Sequence, residues 1–157
     1  MSREMDARDA ITGSLGECYI TLEGRRYNFA QVVKVEATME KTKTEVPILG
    51  KTGRGNKSTG WKGTGNCEIH YNTSEIRDLA IRYAKTGQDF YFDLQITNED
   101  PTSTVGRQTV ILKDCNADKI ILAKIAAEDE YLSEEIEFTF EDVEMPEKFK
   151  MLDQMNA

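Results

Sequence analysis

The sequence predicts a mainly β domain, a β-sandwich or open barrel with one flanking α-helix. Three observations carry this reading. Apolar and polar residues alternate with a period of two in several segments. A single segment switches to helical spacing. At 157 residues the chain is long enough to bury one core and has the size of one domain.

Taken in order, residues 1–16 carry little periodicity and read as an N-terminal arm; their mixed charge is unlike a signal peptide. "ECYITLEG" is a first, weaker strand candidate. "YNFAQVVKVEATMEK" places Val33, Val35, Ala37 and Met39 on one face and Lys34, Glu36, Thr38 and Glu40 on the other. Residues 46–64 read as a long, glycine-rich basic loop, followed by a weaker strand in "GNCEIHY". In "TSEIRDLAIRYAKTG" the apolar residues Ile76, Leu79, Ala80, Tyr83 and Ala84 recur at helical spacing, which predicts a helix over about 74–86. Thr73 or Ser74 can cap it, and Gly87 can take the left-handed position after its end.

"DFYFDLQIT" alternates Phe90, Phe92, Leu94 and Ile96 against Tyr91, Asp93, Gln95 and Thr97. "RQTVILKDC" is a weaker strand, and "KIILAKIA" reads as a strand or a short helix. "EIEFTFEDV" alternates Ile136, Phe138 and Phe140 against Glu137, Thr139 and Glu141. Residues 145–157 read as a C-terminal tail or short helix.

The stretch "LGKTGRGNKSTGWKGTGN" holds six glycines and four basic residues around the chain's only tryptophan. It is not a phosphate loop. Glu45 stands where the first glycine of that motif belongs, Asn56 precedes Lys57-Ser58, and a strand rather than a helix is expected to follow. Ordering so many glycines costs backbone entropy, so a loop of this kind is either mobile or held by a neighbour.

Composition narrows the function. Hydrophobic residues make up 39% and charged residues 31%, and no apolar run approaches the length of a membrane span. Cys18, Cys67 and Cys115 are far apart and read as packing residues of a reducing compartment; His70 reads as a strand residue. No metal-ligand spacing or nucleophile–base pair is present, so neither a catalytic site nor a cofactor is expected. The net charge of −8 disfavours nucleic-acid binding but is unevenly spread. Lys41 to Lys62 carries six basic residues against Glu45 alone, and Glu128 to Glu147 carries ten carboxylates and no basic residue. A chain with one basic and one acidic segment can bind copies of itself head to tail.

The ordered set of motifs resembles the tail tube proteins of contractile-tailed phages, in the branch that includes defective prophages and tail-like bacteriocins. The matching residues are the arm "DARDAITGSLGECYI", the strand "VVKVEATMEK", the loop exit "GWKGTGNCEIHY", the helix segment "TSEIRDLAIRYAKTGQDFYFDLQITNEDP", "VGRQTVILKDC" and "EEIEFTFEDVEMPEKF". The resemblance implies a β-sandwich-like subunit with one helix, forming hexameric rings that stack into a tube inside a contractile sheath. The implied partners are further copies of the chain and the sheath, baseplate and tape-measure proteins. DNA would pass through the lumen without specific binding. The implied location is the virion tail, with assembly in the host cytoplasm.

Read this way, the 46–64 loop is an assembly arm, with Lys51, Arg54, Lys57, Trp61 and Lys62 as its inter-subunit contacts. Glu36, Glu40, Glu68, Glu137 and Glu141, on polar strand faces, are candidates for an acidic lumen. The residues alone leave other readings open: the tube of a contractile secretion system, a nucleic-acid or protein-binding module using the basic loop, or a small enzyme.

Overall fold

A computed structural model describes residues 4–156. Eight strands and one α-helix follow in the order β1 (Gly16–Leu22), β2 (Arg25–Asn28), β3 (Val32–Val46), β4 (Gly55–His70), α1 (Glu75–Thr86), β5 (Phe92–Glu99), β6 (Arg107–Lys119), β7 (Ser133–Phe140) and β8 (Asp142–Glu147). All pairings are antiparallel, in the order β2-β1-β5-β6-β7-β4-β3, with β8 alongside β6. The mainly β class with a single helix is therefore as the sequence predicts.

Strand β6 turns this order into two layers. Its first part pairs with β5 and β8, and its last residues, Asn116–Lys119, pair with β7. The crossing occurs at an irregularity where Leu94 pairs with Leu112 but Phe92 pairs with Cys115. Asp114 lies at the bend with φ 54°, and its N–H donates to Asp93 Oδ1 at 3.1 Å. Aspartate tolerates this left-handed conformation better than most residues.

The core lies between the layers. Ile20, Leu22, Phe92, Leu94, Leu112 and Cys115 come from one side, and Cys67, Ile69, Ile136, Phe138 and Phe140 from the other. Phe92 meets Phe138 edge-on at 5.8 Å. Helix α1 buries Ile76 and packs Leu79 and Ala80 against this core. Gly87 ends it at φ 76°, its N–H bonding Tyr83 O. Ser74 occupies the cap position, but its side chain makes no capping bond.

Several expectations need correction. The glycine-rich segment is mostly strand: β4 starts at Gly55, so only residues 47–54 connect it to β3. Met39 and Val33, expected inside, are 56% and 50% exposed. A bulge between Val32 and Lys34 displaces Val33, and Met39 pairs with Gly63 at the rim of the core. "KIILAKIA" forms neither strand nor helix beyond Lys119, "YNFAQVVKVEATMEK" breaks over residues 29–31 into β2 and β3, and "EIEFTFEDV" breaks at Glu141 into β7 and β8. Residues 4–15 are not a free arm in this structure. Asp9 accepts from Thr104 N and Oγ1, Ser103 Oγ donates to Asp9 O, and Thr12 N donates to Asp100 Oδ2.

Candidate functional site

The most unusual feature is the length of the β3–β4 hairpin. Strand β7 supports β4 only from Gly63 to His70. Beyond the Met39–Gly63 pair, β3 and β4 continue through seven further pairs, from Glu40–Lys62 to Val46–Gly55, with no third strand among the described residues. Every residue of Thr38–Val46 and of Asn56–Lys62 is exposed. At about 3.4 Å per residue, this two-stranded ribbon projects roughly 24 Å from the body.

The five expected assembly residues do not form one cluster. Lys51 and Arg54 lie in the tip, where Gly50 adopts φ 86° and Lys51 N donates to Ile48 O at 3.2 Å. Lys57 is within β4. Trp61 and Lys62 sit at the root: Trp61 pairs with Lys41 and its ring lies 6.0 Å from that of Phe140, while Lys62 pairs with Glu40. The tryptophan marks the point at which the ribbon leaves the core.

The glycines of this stretch have two separate purposes. Gly50 provides the positive φ of the turn. Gly63 and Gly65 instead make room for phenyl rings. A Cβ at Gly63 would lie 2.5 Å from Phe140 Cε2, and one at Gly65 would lie 2.6 Å from Phe138 Cζ and 3.0 Å from Glu36 O. Strand glycines of this kind mark a close approach by a neighbour.

The outer face of β3, β4 and β7 holds most of the expected acidic residues. Glu36 pairs with Asn66, which pairs in turn with Glu137; Glu68 pairs with Glu135. Glu40 lies further out, at the root of the ribbon, and Glu141 lies outside β7 at the bend leading to β8. Three lysines also belong to this face, of which the single-strand pattern shows only Lys34. Lys34 pairs with Glu68, Lys62 with Glu40 and Lys119 with Glu137. The face therefore carries five glutamates (36, 40, 68, 135, 137) against three lysines, 5 − 3, a net of −2.

One glutamate of the acidic segment is structural. Glu134 is buried and accepts from Arg77 Nη2 of α1 at 2.8 Å, with the guanidinium 4.4 Å over the Tyr71 ring. Burial pushes the Glu134 carboxyl above its ordinary range, and Arg77 and Lys124 oppose that shift. Burial likewise pushes the thiols of Cys18, Cys67 and Cys115 up to about 12. Among the described residues, no group of three or more His, Cys, Asp or Glu is placed to hold a metal ion, and no helix is long and apolar enough to cross a membrane.

A family model described as phage tail tube protein matches residues 3–147. The chain belongs to the phage tail tube protein family. The phage-like element PBSX protein XkdM of Bacillus subtilis (strain 168) is 38% identical over 144 residues, which cover 92% of this chain and 95% of that protein. The uncharacterized protein YqbM of the same organism is 36% identical over 146 residues, covering 93% and 97%. Among solved structures, the sheath/tube terminator of the extracellular contractile injection system PVC in its extended state aligns with TM-score 0.64. It is 12% identical, over 88% of this chain and 97% of the other, so the likeness is one of fold. The resemblance drawn from the ordered motifs thus identifies the family, which is one of structural tail components.

Proposed function

We propose that this tail tube protein assembles into hexameric rings that stack into the inner tube of a contractile tail or tail-like particle, enclosing a conduit for DNA. The observation that carries the proposal is the free β3–β4 ribbon. A two-stranded hairpin is at best marginally stable alone in water, yet this one extends for seven pairs with no third strand among the described residues. A neighbouring copy supplies the missing surface. Assembly also covers the edge strands β2 and β3, which otherwise invite uncontrolled pairing.

The outer face of β3, β4 and β7 is the lumen surface in this reading. Glu68 and Glu135 stand directly opposite each other, a like-charge pair that disfavours the isolated sheet. A slightly acidic wall interleaved with lysines gives phosphates no continuous basic track to bind. The sheath, baseplate and tape-measure proteins are its partners, and the tail is its location.

The test is a symmetric shortening of the ribbon. Replacing residues 42–60 by Asn-Gly leaves Lys41–Trp61 as the closing pair of a two-residue turn. The expected product melts cooperatively and no longer forms tubes by negative-stain microscopy, under conditions in which the unaltered protein does. Tubes of normal diameter and yield from the shortened protein would remove the ribbon as the assembly arm, and no rings or tubes from the unaltered protein, even seeded with tail fragments, would sink the proposal.

A further inference from the structure

We infer that the ribbon tip of one copy docks on the connection between β6 and β7 of a second copy. The inference rests on the reading of the ribbon as an assembly arm and names the surface that receives it.

The connection, residues 120–132, exposes Leu122 (59%), Ile125 (96%) and Tyr131 (61%), large apolar side chains that the body does not cover. Glu128, Asp129 and Glu130 are exposed beside them in sequence. The segment lacks regular secondary structure but is pinned. Lys124 Nζ donates to Ser133 O at 2.7 Å, Tyr71 N donates to Leu132 O at 3.1 Å, and Tyr131 lies 5.4 Å from the His70 ring. Such a surface is ordered before a partner arrives, which lowers the entropic cost of docking.

The tip has matching chemistry. Ile48 and Leu49 are 42% and 103% exposed, and Lys51 and Arg54 follow them within the same tip. Apolar residues with cations thus face apolar residues with carboxylates, a complementarity that favours encounter and fixes partner choice.

Position decides which copy is bound. Strand β4 begins at Gly55, beside the tip, and ends at His70, beside Tyr131. Its sixteen residues place tip and connection roughly 50 Å apart, at opposite ends of the strand. The tip therefore cannot reach the connection of its own chain. A second copy displaced along the strand direction presents that connection to it. Two different surfaces in contact make a heterologous joint, which propagates rather than closing as a dimer.

Mixing two single variants, Leu49→Cys and Ile125→Cys, tests the contact. Both sites are exposed, whereas the native thiols are buried and do not compete. The mixture is assembled, seeded with tail fragments where needed, and mildly oxidised. The expected result is tubes together with a disulfide-linked dimer in the mixture that neither variant gives alone. In addition, Lys51→Glu/Arg54→Glu in the Leu49→Cys chain slows cross-linking about tenfold, and Glu128→Lys/Asp129→Lys/Glu130→Lys in the other chain restores it. Tubes without the mixed dimer, or no restoration by the charge exchange, overturn the docking contact and leave the assembly reading intact. No tubes from the unsubstituted protein, seeded or unseeded, overturn both.

Discussion

The ring of Phe138 lies across the backbone of Gly65 so closely that a Cβ there would sit 2.6 Å from Cζ. Phe138 is completely buried and the two residues are paired, so neither has room to move aside. Gly65→Ala is expected to cost about 1–3 kcal/mol through overpacking. Gly63→Ala should cost less, because Phe140 is 6% exposed and lies nearer the rim. Denaturant melts of both variants check the order; equal and small losses would show that β4 shifts freely.

Arg77 and Glu134 fasten α1 to β7. Arg77→Ala leaves a buried carboxylate without its cation and is expected to cost about 3–5 kcal/mol. Arg77→Met/Glu134→Leu should recover much of that loss, because it removes the buried charge as well. A double-mutant cycle in urea measures the difference.

The N-terminal segment should respond to acid. Backbone N–H donation from Thr104 to Asp9, and from Thr102 to Asp100, holds both carboxyls below their ordinary value of 3.8. A depressed folded value gives stability that is present above the ordinary pKa and lost as pH falls through the folded one. Glu134 has the opposite sign: its raised value favours the fold below 4.5 and weakens it as pH rises through the folded value. Amide exchange at Thr12 and Thr104 should therefore accelerate, relative to the rest of the sheet, as pH falls below 3.8. Asp9→Asn/Asp100→Asn should remove that pH dependence.

The buried thiols should resist alkylation. With values of about 12, Cys18, Cys67 and Cys115 hold almost no thiolate at neutral pH. Iodoacetamide should modify them only as fast as the domain opens. Rapid labelling of any one under native conditions would place that thiol outside the core.

The sequence by itself determined the class of fold, because a period of two and a period of 3.6 are local properties of a chain. It determined the helix, since the cap region, the apolar stripe and Gly87 lie within fourteen residues of one another. Its ordered motifs also determined the family. What it could not determine depends on pairing between residues distant in the chain. Gly63 reads as a loop glycine and Gly65 as the first residue of a weak strand until Phe140 and Phe138 are placed opposite them. Glu134 reads as one more surface carboxylate until α1 brings Arg77 to it. The polar face showed only Lys34 among its glutamates until the register set Lys62 and Lys119 against them as well. Only the tertiary structure decided these, because register and layer crossing are fixed by contacts that no local pattern encodes.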